Sequence, residues 1–190
     1  MNLTDFYFLI FFVVCLTVYY IVPRKMQWMV LLIGSAAFYL MSGSPVLILY
    51  PLCSIVITYM CAGHIRSRYR LAAGVICLLL VLMLVKYVRN LPISFEILVP
   101  LGLSYYTFTL ISYLVDVYNG IAAPADSFRQ FLAFAFYTPS YVSGPIMQYR
   151  MCAESFREEH TFDPGRIVNG AQRILWGFFK KLVIAERLSA

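Results

Sequence analysis

Charge is scarce in this chain. Of its 190 residues only 13% are Asp, Glu, Lys or Arg, and 62% are hydrophobic, against about 25% and about 45–50% in ordinary soluble domains. Histidine occurs twice, and Asp and Glu together nine times. There is no Gly-rich phosphate loop, no GxSxG, no HExxH and no CxxC, which excludes the P-loop nucleotidases, the elbow-type serine hydrolases and the zincins. The five cysteines (Cys15, Cys53, Cys61, Cys77 and Cys152) sit mostly inside apolar segments with no His at metal spacing, so they read as small hydrophobes and no metal is expected. A water-soluble helical protein is excluded too, because almost no polar face would remain to meet water.

What is present instead is a series of long apolar runs. Asp5–Val22 carries one charge, at its first residue, and Met26–Met41, Val46–Gly63, Leu71–Val85 and Ile97–Val115 carry none. A hydrocarbon core about 30 Å thick takes about 20 such residues per helix, so the expected architecture is an all-α, polytopic membrane bundle with about five spans within residues 1–150. The first run lacks a basic leader and a small-x-small cleavage site and is expected to be a retained helix. Pro23-Arg24-Lys25 links the first two helices, and Ser42-Gly43-Ser44-Pro45 the next two. The fourth helix is expected from Leu71 to about Val88. The net charge of +6 does not point to nucleic acid. The basic residues flank the apolar runs, as Arg24-Lys25 and as Arg66, Arg68 and Arg70, and by the positive-inside rule those two connections are cytoplasmic.

The fifth run differs. Tyr105, Thr109, Ser112 and Asp116 recur at i, i+4, i+7 and i+11 and share one helix face, whereas Leu103, Leu110 and Leu114 lie on another. Such a stripe is expected to face protein or a water-filled cavity, either joining helices or touching a ligand. Phe131–Met147 is broken by Pro139, Ser143, Gly144 and Pro145. Its apolar run before Pro139 is too short to cross, so it either bends back inside the membrane or is a kinked helix. Gln148 and Arg150 follow; Arg150 suits a headgroup anchor or a contact to a phosphate-bearing donor. Beyond it, residues 151–190 read as a cytoplasmic loop followed by an amphipathic helix. Arg166, Arg173, Lys180 and Arg187 recur every seven residues, opposite Ile167, Ile174, Phe178, Leu182 and Ala185. Spanning would force Arg173, Lys180 and Lys181 into hydrocarbon at about 2.5–3.5 kcal/mol each. Gly165–Leu188 is therefore expected to lie flat in the interface, its basic residues against anionic headgroups.

Three stretches in this order, PLGLSYYTFTLISYLVDVYNG, YTPSYVSGPIMQYR and GFFKKLVIAERLS, resemble the membrane-bound O-acyltransferase family, in particular its bacterial branch of alginate O-acetylation and D-alanyl transfer to teichoic acid. The resemblance implies transfer of an acyl group, an acetyl first of all, from a cytoplasmic thioester (acyl-CoA or acyl carrier protein, with no bound cofactor) to hydroxyls of an extracytoplasmic polysaccharide. It also implies a tunnel, beside which Tyr105, Thr109, Ser112, Asp116, Ser143, Gly144, Pro145 and Gln148 are the candidates. Arg150, Arg173, Lys180 and Lys181 become donor or headgroup contacts, and envelope acetylation proteins become partners in a bacterial inner membrane. The family's general base is an intramembrane histidine in the carboxy-terminal half. Neither His64 nor His160, both in charged loops, matches it, so no catalytic residue is assigned and this chain alone is expected to be inactive. D-alanyl transfer and a non-catalytic scaffold are the rival expectations.

Overall fold

The computed structural model describes residues 6–42, 45–65, 67–88, 102–137, 146–158, 160–185 and 187. Among these residues the structure is helical and contains no strand. Eight helices follow one another: α1 (Phe6–Ile21), α2 (Gln27–Ser42), α3 (Leu49–Ala62), α4 (Arg68–Val88), α5 (Leu103–Tyr118), α6 (Phe128–Ala135), α7 (Tyr149–Arg157) and α8 (Pro164–Phe179). The chain divides into two compact units, Met1–Glu159 and His160–Ala190.

The helix limits follow from local chemistry. Short 3₁₀ turns, Arg24–Met26 and Pro45–Ile48, lead into α2 and α3, so each α-helix starts later than its apolar run. Pro51 is tolerated in α3 because it lies in the first turn, where no N–H is needed for the helix ladder. At the end of α5, Gly120 takes φ 70°, a left-handed conformation that costs a residue with a Cβ. The amide of Ile121 then donates to Asp116 O at 2.9 Å and that of Gly120 to Val117 O at 3.2 Å, the paired bonds of a Schellman stop. The hydroxyls inside the helices are satisfied the same local way. Thr17, Ser54, Thr58 and Thr107 each donate to the carbonyl four residues back, at 2.6–2.9 Å.

In the first unit α5 is central, packed on α3, α4 and α6; α2 joins α1 to α6, and α7 packs on α6. Close approach depends on small residues. A Cβ on Gly74 of α4 would meet Leu114 Cδ1 at 3.2 Å, and one on Gly34 of α2 would meet Cys15 Sγ at 3.2 Å. Leu110, Leu114, Tyr113, Phe131, Ile55 and Thr58 are fully buried. The Tyr113 ring lies 4.6 Å from Phe131 and 5.0 Å from Tyr149, and Phe134 lies 5.1 Å from Tyr149.

The outward faces are as apolar as the core. Leu9, Ile10, Val13, Val14 and Val18 of α1, Val56, Ile57 and Met60 of α3, and Ile76, Leu80, Met83 and Leu84 of α4 are all exposed. By length and composition one helix among the described residues, Arg68–Tyr87, is sufficient to cross a membrane; α1 and α3 are apolar but shorter. At 1.5 Å per residue its 20 residues span about 30 Å, matching the hydrocarbon core.

The second unit has one described helix. Asp163 caps it, accepting from the amides of Gly165 at 2.9 Å and Arg166 at 3.4 Å, with Pro164 in the first turn and Arg166 Nε 3.5 Å from Asp163 Oδ2. Residues Lys180–Ala185 continue as a π-helical turn. Its wider winding turns each residue through less than the 100° of an α-helix.

The Tyr113 hydroxyl accepts a hydrogen bond from the buried Ala125 amide at 2.9 Å. Tyr113→Phe leaves that N–H without a partner, and a loss of about 1–3 kcal/mol is expected, measured as a lowered unfolding midpoint in detergent. An unchanged midpoint would show that the 119–127 connection is held by other contacts.

Candidate functional site

The polar face of α5 and the start of α7 are the described parts of the site expected from sequence. Along the α5 stripe, Thr109 is buried, Ser112 and Asp116 are half-buried, and Tyr105 is 41% exposed. The leucine face, Leu103, Leu110 and Leu114, is buried entirely, together with Tyr106 and Tyr113. The stripe therefore runs along one edge of the buried surface. At its end the Asp116 Oδ2 is buried and has no hydrogen-bond partner among the described residues. A buried carboxylate oxygen is costly to leave unsolvated, which makes Asp116 the most chemically exceptional member of the stripe.

Ser143, Gly144 and Pro145, with Pro139, lie outside the described residues. The chain is described again from Ile146. Gln148 is half-buried, and its Oε1 accepts from Arg150 Nε at 3.2 Å, leaving the Arg150 side chain exposed. Tyr149 between them is buried against Tyr113, Phe131 and Phe134. This aromatic knot brings Gln148 and Arg150 to the elements that carry the α5 stripe. Arg173, Lys180 and Lys181 belong to the second unit and are exposed there.

Two groups of side chains were not evident from spacing. The first is a hydroxyl cluster within the bundle, in which Tyr106 is grouped with Tyr39, Tyr50 and Ser54; Tyr39 also donates to Leu47 O at 3.2 Å. Its sequence signal is the seam Leu103, Tyr106, Leu110, Tyr113, which alternates three- and four-residue steps and marks the inward face of α5. The second is Tyr149 itself, whose signal is only its place beside Gln148.

Among possible nucleophiles, burial pushes the Cys152 thiol up, so it stays protonated near neutrality and is a poor acyl acceptor. His64 lies in an exposed turn with Nδ1 3.2 Å from Met60 O, and the next helix ties down the same turn through Arg70 Nη1, which donates to His64 O at 2.9 Å. No group of three His, Cys, Asp or Glu side chains suited to a metal occurs among the described residues.

If the α5 edge meets a hydrated interior, cysteines at Ser112 and Asp116 in a background without native cysteines will react with a small water-soluble thiol reagent, while cysteine at Leu110 stays protected. Equal labelling at the three positions would mean that the edge is no different from the packed face.

No protein-family profile and no solved structure matches the chain. Curated relatives do. The chain is 37% identical over 95 residues to a protein of Pseudomonas syringae pv. tomato named "Probable alginate O-acetylase AlgI", covering 50% of this chain and 18% of that protein. Proteins of the same name from Pseudomonas aeruginosa and Azotobacter vinelandii are each 36% identical, over 96 and 95 residues, covering 50% of this chain and 18% and 19% of theirs. The matched stretch is thus under a fifth of the length of these relatives. Over half of its length the chain is a homologue of proteins named as alginate O-acetylases, in keeping with the membrane-bound O-acyltransferase resemblance that its motifs carry.

Proposed function

We propose that this chain is the membrane-embedded, substrate-guiding part of an O-acyltransferase that moves an acyl group, an acetyl first of all, from a cytoplasmic thioester to hydroxyls of an exported polysaccharide. The observation that carries the proposal is the identity of 36–37% with proteins named as alginate O-acetylases. The structure supports it chemically in two respects. The α5 edge offers hydroxyls and one buried carboxylate beside an otherwise apolar core, a lining suited to a sugar hydroxyl passing through a greasy bundle. The same bundle offers no activated nucleophile of its own among the described residues, consistent with direct attack of the acceptor hydroxyl on the thioester once a base has taken its proton. Neither His64 nor His160 is offered as that base.

The proposal includes a multi-pass membrane placement. Outward apolar side chains on α1, α3 and α4 form a surface far larger than a soluble monomer exposes. Helices of 14 to 16 residues fall a few residues short of the hydrocarbon thickness, but the 3₁₀ turns and local thinning of the bilayer make up such differences at small cost per Å. In this placement the Arg24-Lys25 and Arg66–Arg70 connections face the cytoplasm, and Phe131–Met147 dips in without crossing. The tunnel lining takes in Ser143, Gly144, Pro145 and Gln148 as well as the α5 stripe.

The amphipathic segment lies flat on the cytoplasmic leaflet. In α8 no residue is buried, and Ile174, Leu175, Trp176 and Phe179 are exposed, so apolar side chains are free to enter the headgroup region. Each Lys or Arg held near an anionic leaflet adds about 1 kcal/mol.

Function is tested by exchange. Replacing the matched stretch of the Pseudomonas aeruginosa relative with that of this chain is expected to preserve the acetyl ester content of the alginate made. Loss of acetylation with the chimera present in the membrane at normal level would refute acyl transfer as its role. Topology is tested with a reporter active only in the cytoplasm, fused after Arg150 and separately after Ala190. Equal activity at both positions is expected, and opposite signals would show that the intervening helix spans.

A further inference from the structure

Between the first turn of α2 and the start of α6 there is a cleft of about 320 Å³. Arg24 and Lys25, from the 3₁₀ turn before α2, line it together with Arg129, from the first turn of α6; Trp28 and Gln130 also contribute, and Glu158 is the one acidic group among its described lining residues. The two basic groups come from segments far apart in the chain, so only the fold brings the three cations together. No hydrogen bond or ion pair engages the side chains of Arg24, Lys25, Arg129 or Glu158 among the described residues. Among the described lining residues three exposed cations stand against one exposed carboxylate, and a cleft with one sign of charge in excess concentrates potential.

Such a potential selects an anion, and the donors select its type. Two guanidinium forks match the oxygens of a phosphate better than they match a single carboxylate. The Ser127 side chain makes no cap bond to α6, so the first-turn amides of α6, a helix whose Ser127, Arg129 and Gln130 line the cleft, have no side-chain cap. Size narrows the ligand. Pockets for whole small molecules run from about 300 to 1,000 Å³, and this cleft is at the lower limit. It accommodates a phosphate and its adjoining few atoms, not an entire nucleotide carrier.

We propose that this cleft is a binding site for an anionic phosphate ester, with Arg24, Lys25 and Arg129 as its cationic ligands and Trp28 as its aromatic wall. The phosphate belongs either to the headgroup of an anionic phospholipid or to a soluble phosphate-bearing molecule that inserts one phosphate. The site stands on its own geometry and does not depend on acyl transfer.

Tryptophan occurs only twice, as Trp28 and Trp176, so a Trp176→Phe chain reports on the cleft through Trp28 alone. In neutral detergent, dihexanoyl phosphatidylglycerol and coenzyme A are titrated separately while Trp28 emission is followed. A saturable change with the lipid alone supports the site and assigns it to a headgroup. A saturable change with coenzyme A supports the site and assigns it to a soluble phosphate. Loss of one charge-assisted contact is expected to raise the apparent Kd about tenfold in Arg129→Gln, and loss of two raises it further in the double variant Arg24→Gln/Lys25→Gln, whereas Lys86→Gln, on α4, leaves it unchanged. No saturable response to either probe, or responses equal in the parent and both cleft variants, would overturn the proposal.

Discussion

The ring of Tyr113 is fully buried, and its hydroxyl accepts the Ala125 amide at 2.9 Å while its faces and edges meet Phe131 and Tyr149. Those contacts join four successive parts of the chain. The hydrogen bond ties the 119–127 connection back onto α5, Phe131 anchors α6, and Tyr149 returns the chain to the same place at the start of α7. Each buried aromatic removes about 150–250 Å² from solvent, and edge-to-face pairs add directional preference. The position of everything near α5 follows from this knot. Gln148 and Arg150 are where they are because Tyr149 between them is locked, and Arg129 reaches its cleft because Phe131, two residues on, is held in the core.

Around that knot apolar side chains lie on the outward faces as well as in the core. Four helix hydroxyls spend their hydrogen bonds on the carbonyl four residues earlier, which needs no solvent, while large aliphatic side chains face outward on three helices. In hydrocarbon both features are favourable, since backbone and side-chain polar groups must be satisfied within the protein. Against this background the buried Asp116 Oδ2 stands apart. The Schellman stop takes the Asp116 carbonyl but leaves its carboxylate uncommitted among the described residues, so the helix ends on a group with chemistry to spare.

Much of this was legible from residue order. Runs without charge located α1 to α5, and the seven-residue recurrence of Arg166, Arg173 and Lys180 located α8. Where sequence fell short, a tertiary or local conformational effect decided. Pro45 and Pro23 set short 3₁₀ turns that delay the helices after them, an effect invisible to hydropathy. Periodicity identified the α5 stripe but not how far it is covered: burial went first to the seam of Leu103, Tyr106, Leu110 and Tyr113, whose larger side chains pack against α3 and α4, and the smaller hydroxyls took the edge. The π-helical turn at Lys180–Ala185 has no composition signal. The cleft of Arg24, Lys25 and Arg129 could not have been found by spacing at all, because its two basic segments are adjacent only after α2 has packed on α6.

These observations separate two kinds of polar chemistry within one bundle. The α5 edge consists of uncharged hydroxyls and a single carboxylate close to the apolar core, groups that offer hydrogen bonds and little positive charge. The cleft is cationic, small and lined by groups at helix starts, which suits an anion of fixed size. The first turn of α6 holds the cleft's Arg129, and the same short helix carries Phe131 of the knot beneath α5. Because α6 also packs on α5 and α7, one short helix borders both the charged cleft and the polar edge.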